Sequence, residues 1–395
     1  MSRARVGRLP TLDSMRGLAA ISVLFWHCAL IFPAIGIKNE SIFIRCVKYT
    51  PLHIFWCGYE AVIFFFVLSG FVLALPFLDE KTAPYSTYLI KRCLRIYPPY
   101  IVAMLVAVFA KLYLYSAGVH AEYSKFFNDF SLMPIDWNLV VRQWFLINSF
   151  EHRYNPVIWS LVIEMRISIL FPLIMWLVRR HTWKTSLSIA FFLIALSWAI
   201  LLLKLFHVMN FNHNYFDTIG YIACFILGSV MAKNRLALVR MYHNFPRLQQ
   251  GLFFILSLLL YTHDWWLIKS GLLGHSWPQK ILCNSLVLDT CVSCGVAGLI
   301  IVGLSSSTMV RLLTSNPILF LGRVSYSLYL YHVICLISLL NILDERMPTY
   351  VILCITPILS LGVAIVGYYI VELPAKNLAR LLINKIAPAV FDKSQ

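Results

Sequence analysis

Charge is scarce in this chain. Asp, Glu, Lys and Arg make up 13% of its 395 residues, against 60% hydrophobic residues and a mean hydropathy of +0.77. That balance excludes a water-soluble fold of this size, because only a bilayer can solvate so much exposed Leu, Ile, Val and Phe. Acid is scarcer than base, with 17 Asp and Glu beside 33 Lys and Arg and a net charge of +16. The basic residues fall in short clusters between apolar runs, where they orient spans and meet anionic headgroups. With no soluble domain to carry a basic stripe, nucleic acid is excluded as a partner.

Other absences narrow the function. Internal repeats and low-complexity segments are missing, which removes the paired half-repeats that mark many transporters. Cys291 and Cys294 have the two-residue gap of a metal or redox motif, but no second pair accompanies them, and no metal is expected. Cys46 and Cys57 fall on the assigned outer side, where a disulfide is chemically allowed. No serine has the surroundings of a nucleophile; Ser69-Gly70 reads as a site of close helix packing. No small-residue cleavage site follows the basic start, so the first apolar run is expected to be retained.

Long apolar runs are what the chain does have. Windows of about 20 residues give ten expected spans: 11–32, 53–77, 96–117, 157–178, 186–206, 215–232, 251–268, 281–304, 317–340 and 350–371. The break at 118–156 carries Trp137, Trp144 and Phe145 among polar residues, and a helix lying at the interface or re-entering is expected between spans 3 and 4. Placing the N-terminus in the cytosol puts roughly twice as many Lys and Arg on the cytosolic side as on the outer side. An even number of spans then returns the C-terminus to the cytosol. The expectation is an all-α, multi-pass protein of the cell membrane, with one transmembrane domain over residues 1–380 and a short cytosolic tail over 381–395.

The few ionisable residues inside these runs are the informative ones, since charge at membrane depth is costly and is kept for function. Arg16 and His27 are eleven positions apart in span 1. At about 100° per residue they return to within roughly 20° of one another, with a rise of roughly 16 Å. Asp13 shares their face. Glu60 in span 2, Glu164 in span 4 and Asp289 in span 8 reach a depth close to that of His27, and His332 in span 9 is near the middle. Asp289 and His332 read more readily as structural. Arg16, Lys91, Arg92, Arg95 and Arg323 gather toward the cytosolic side. Arg92 and Arg95, three apart on one helical face, have the guanidinium forks that suit phosphate. Acid–base groups on the outer side and guanidinium groups on the inner side suit an anionic cytosolic donor and an acceptor from outside. A transporter or flippase for an anionic glycolipid is the alternative, since it too needs buried charge.

These segments resemble the integral-membrane acyltransferase family 3. Leu12-Asp13-Ser14-Met15-Arg16-Gly17 through His27 resembles its first helix with Arg-x10-His, and Gly58-Tyr59-Glu60 through Ser69-Gly70-Phe71 its second, where many members carry aspartate. Arg92-Cys93-Leu94-Arg95 is similar to its Arg-x-x-Arg motif, and Trp159-Ser160-Leu161 through Glu164 to its Trp-Ser-Leu…Glu element. Leu321-Gly322-Arg323 through Tyr329-Leu330-Tyr331-His332 and Val371-Glu372-Leu373-Pro374 match its late helices. The resemblance implies O-acyl transfer from acetyl-CoA or another acyl-CoA to a saccharide or similar hydroxyl acceptor. It implies His27 as general base, Glu60 and Glu164 as catalytic carboxylates, and Arg16, Arg92, Arg95 and Arg323 as the donor's phosphate contacts. Beyond donor, acceptor and bilayer, the chain leaves a homo-oligomer open.

Overall fold

The computed structural model describes residues 9–32, 48–79, 84–115, 118, 122–146, 153–205, 213–269 and 288–391. Among these, regular structure is helical throughout. In chain order the α-helices are α1 (Pro10–Ala29), α2 (Tyr59–Leu78), α3 (Tyr85–Tyr113), α4 (Lys125–Leu132), α5 (Trp137–Gln143), α6 (Ile158–Arg180), α7 (Trp183–Leu205) and α8 (His213–Lys233). They continue with α9 (Arg235–Asn244), α10 (Arg247–His263), α11 (Leu288–Ser305), α12 (Ser307–Leu313), α13 (Asn316–Leu343), α14 (Thr349–Gly367) and α15 (Leu373–Phe391). A 3-10 turn precedes α2 at Pro51–Trp56, and π-helical turns follow α10 at Asp264–Lys269 and α14 at Tyr368–Glu372.

A helix occupies the described part of every one of the ten expected windows. Seven helical stretches among the described residues are long and apolar enough to cross a membrane, or eight if α8 and α9, bent by 72°, form one span. α1 is not among the seven. The residues that make it informative, Asp13, Arg16 and His27, are the ones that dilute its apolar character. α10 is also outside the count; at 17 residues it is short for a bilayer. Between α3 and α6, where one interfacial or re-entrant helix is expected, stand two short helices, α4 and α5, started by the side-chain caps of Ser124 and Asp136. Cys46 lies outside the described residues.

The chain forms two compact units, residues 1–23, 36–82 and 170–323, and residues 24–35, 83–169 and 324–395, with the boundaries falling inside α1, α6 and α13. In the first unit α2 packs along α8, and α10 along α11. The α2–α8 approach depends on glycine. A Cβ on Gly228 would stand 2.0 Å from the Val67 carbonyl oxygen, and one on Gly70 would stand 2.4 Å from that of Phe225. Neither contact is sterically allowed, so both backbones are touching, as the Ser69-Gly70 pair suggested. Gly228→Ala forces the helices apart and should cost about 1–3 kcal/mol, read as a lower Tm in detergent.

The second unit has a core built from three long helices. Ile96, Tyr100 and Met104 of α3 meet Leu161, Val162 and Met165 of α6 and Leu330, Tyr331 and Ile334 of α13, all buried. Polar backbone ends are tied into it. Asn155 Nδ2 donates to the Leu330 carbonyl at 2.8 Å, and Tyr100 Oη donates to that of Gln143 at 2.6 Å.

Candidate active site

α1 runs unbroken from Pro10 to Ala29, so Arg16 and His27 are on one helix as the sequence requires. Within the first unit, Arg16 Nη1 meets Asp13 Oδ1 at 3.3 Å, an i,i+3 pair with both side chains mostly buried. Gly17 and Gly322 set this end of α1 against α13: a Cβ on Gly322 would come 2.5 Å from the Asp13 carbonyl oxygen. Arg323, the next residue, is exposed, with its guanidinium carbon 5.3 Å from the Phe320 ring centre. Glu60 is buried at the start of α2, where its Oε1 accepts the Trp265 indole N–H at 3.1 Å. Trp265 also stacks on His53, with ring centres 4.0 Å apart. His53, Cys57 and Glu60 are the group with metal-donor chemistry among the described residues, their ligand atoms lying within 4.8 Å of one another. His53 Nδ1 already accepts the Trp56 indole N–H, so a lone pair a metal would need is engaged. Asp289 Oδ1 accepts from Tyr59 Oη at 2.6 Å, and Tyr221 Oη lies 3.2 Å from that same hydroxyl.

The second unit brings together the other site residues. His27 Nδ1 lies 3.1 Å from His332 Nε2, with ring centres 4.9 Å apart in an edge-on arrangement. His332 is 1% exposed, whereas His27 is half-buried. The tautomers follow from the partners. His332 Nδ1 is 3.0 Å from the Leu328 carbonyl, which can only accept, so Nδ1 carries the hydrogen. In the neutral ring Nε2 is then an acceptor, and His27 must donate to it from Nδ1. Within the pair, His27 Nε2 is then the nitrogen that keeps a lone pair, and His27 is the less buried of the two rings. That is the geometry of a general base held by a second group.

A polar line on α6 extends this pair. Ser160, Glu164 and Ser168 are four apart, so they share one helix face over roughly 12 Å. Ser160 Oγ lies 2.7 Å from Tyr329 Oη, and the Tyr329 ring centre is 6.0 Å from that of His332. One turn on, Glu164 Oε1 accepts from Arg92 Nη2 at 2.5 Å. Arg92 Nε donates to Ser168 Oγ at 2.8 Å, and Ser168 Oγ donates onward to the Glu164 carbonyl at 2.6 Å. Arg92 is thus buried with its charge compensated, two of its three nitrogens bonded within the unit. Arg95, one turn along α3, is half-buried. Tyr326 lies within electrostatic reach of Glu164, Glu372, Arg92 and Arg95, and donates from its hydroxyl to the Ile96 carbonyl at 2.9 Å.

Sequence reasoning named His27, Arg92, Arg95 and Glu164 as site residues but set His332 aside as structural, and it passed over Tyr329 and Ser168. The signal was there in the spacing. Tyr326, Tyr329 and His332 recur every three residues, and Ser160, Glu164 and Ser168 every four, so each set makes a polar stripe on an otherwise apolar helix.

Among proteins similar to this chain is the acyltransferase MdmB of Streptomyces mycarofaciens, 31% identical over 190 residues that make up 47% of this chain and 45% of that one. SACOL0978 of Staphylococcus aureus (strain COL) is 25% identical over 398 residues, 93% of this chain and 57% of the relative. The O-acetyltransferase OatA of Staphylococcus aureus (strain NCTC 8325 / PS 47) is 21% identical with the same coverage. The chain therefore spans about half the length of the curated relatives it matches. No solved structure matches it. An acyltransferase-domain match runs from residue 9 to residue 371, nearly the whole chain, and this protein belongs to the acyltransferase 3 family.

Proposed function

We propose that the protein is a membrane O-acyltransferase, moving an acyl group, most simply acetyl, from cytosolic acyl-CoA to a hydroxyl of a saccharide or similar acceptor at the outer side of the cell membrane. The observation that carries this reading is the His27–His332 pair, a half-buried imidazole whose Nδ1 is held by a fully buried one. A hydroxyl is a poor nucleophile at neutral pH until a base takes its proton. His27 Nε2 accepts that proton as the hydroxyl oxygen attacks the thioester carbonyl. Collapse of the adduct forms the ester, breaks the carbon–sulfur bond and expels the CoA thiolate, which recovers the proton from Nε2. His332 holds the His27 ring and shares the charge that develops on it.

The rest of the site is assigned by the same reasoning. Glu164 fixes Arg92, and Arg95 with the remaining edge of Arg92 contacts donor phosphate. Arg16 and Arg323 remain candidate donor contacts through their place in the family motifs. Both termini are cytosolic in this arrangement. The O-acetyltransferase name of OatA supports an oxygen acceptor and an acetyl group.

Proteoliposomes given labelled acetyl-CoA and a glycan panel test the reading. CoA release matched by label on an acceptor is expected, and Arg95→Ala should raise the KM for acetyl-CoA about tenfold through loss of a phosphate contact. Glycan crossing the membrane with no thioester consumed would defeat the enzyme reading in favour of a transporter.

A further inference from the structure

One aromatic pair stands beside the base without a part in the chemistry above. Phe126 and Phe130 of α4 are four apart and share a helix face, with ring centres 5.1 Å apart. The Phe126 ring centre is 6.0 Å from that of His27, tilted by 43°. Both phenylalanines are half-buried, whereas the adjacent Phe127 is fully buried in the unit.

α4 is fixed to the end of the helix that carries the base. Ser124 N–H donates to the Ile31 carbonyl at 2.8 Å, and Ser124 Oγ donates to that of Leu30 at 2.6 Å. Tyr123 Oη bonds the Asp344 carboxylate and lies 3.1 Å from Thr349 Oγ1. Asn341 Nδ2 donates to Ser131 Oγ at 3.1 Å. Hydrogen bonds at both ends of an eight-residue helix hold its exposed face in register with His27.

We propose that Phe126, backed by Phe130, is the acceptor-binding wall of the enzyme, and that it selects a hydroxyl carried on a ring with an apolar C–H face. This deepens the acyltransferase reading and rests on His27 being the base. The argument is one of position and chemistry. A hydroxyl presented to His27 Nε2 must bring its own scaffold within a few ångströms of the Phe126 ring. An aromatic face gives a ring's C–H bonds dispersion contact and offers hydroxyls no hydrogen-bond partner. It therefore turns the apolar side of the scaffold to the wall and leaves the hydroxyl edge toward the histidine. A pyranose and a macrocyclic lactone both supply such a face; an open-chain polyol does not hold one.

The experiment compares wild type with Phe126→Asn, Phe126→Leu and Phe126→Trp, using methyl β-glucopyranoside, a macrolide lactone and sorbitol as acceptor probes and acetyl-CoA as donor. Phe126→Asn should raise the KM for the ring acceptor about tenfold, with no change in the KM for acetyl-CoA or for sorbitol. Phe126→Leu should fall between, and Phe126→Trp should restore wild-type values. An effect confined to the glucopyranoside assigns the face to a sugar, and one confined to the lactone assigns it to a macrocycle. Acceptor-induced shifts in Tm of the purified protein give the same comparison without turnover. Unchanged KM and unchanged shift in Phe126→Asn with both ring probes overturn the wall, as does a wild-type protein that neither acylates nor is stabilised by either of them. The two failures are distinguishable. Loss of transfer in His27→Ala with an unaltered Phe126→Asn keeps the base and removes the wall; full transfer in His27→Ala removes the base and, with it, the ground for the wall.

Discussion

His27→Ala should lower the rate of acyl transfer by about 10²–10⁴-fold, the usual contribution of a positioned general base, with the KM for acetyl-CoA little changed. His332 variants test the pair more sharply, because its Nε2 lies 3.1 Å from His27 Nδ1. His332→Leu removes the acceptor for the Nδ1 hydrogen and should cost about 10–100-fold in kcat, as the His27 ring loses its fixed tautomer. His332→Gln can place an amide oxygen near the lost nitrogen and should recover part of that loss. A packing role alone would reverse the order, since leucine suits a buried apolar helix face better than glutamine. Steady-state rates on reconstituted protein, with Tm measured alongside, decide between the two.

The second large effect concerns the Arg92–Glu164 pair, with side chains 7% and 21% exposed. Glu164→Ala leaves a buried guanidinium without its carboxylate and should cost about 3 kcal/mol or more in stability, seen as lost expression and a lower Tm. Arg92→Ala strands the carboxylate and should do the same. Replacing both, Arg92→Leu with Glu164→Leu, removes the two charges together and should restore most of the stability. Activity should stay below about a hundredth of wild type in the double variant, because donor contact is lost with the guanidinium. A stable and fully active double variant would show that the pair only holds helices together.

How much of this was legible beforehand depends on the residue. Apolar length placed a helix in all ten expected windows, because the bilayer leaves little choice of backbone structure. The count of spans was harder to read. α1 spends apolar character on Asp13, Arg16 and His27, and α10 is short, so length and hydropathy alone fall silent on them. Glu164 and Arg92 were named separately, one as acid and one as phosphate ligand; their bond to each other joins α3 to α6 across 72 positions and has no local signature. His332 was judged alone, and a lone histidine on an apolar helix reads as packing. Its meaning came from a partner 305 positions away. Glu60, by contrast, is buried, and its bond to Trp265 came from a π-helical turn that periodicity does not announce.

The tie between His332 Nδ1 and the Leu328 carbonyl moors the buried ring to the backbone of its own helix, one turn back. Turning that ring would break the bond, so its station beside residue 27 is set by the main chain as much as by side-chain rotamer.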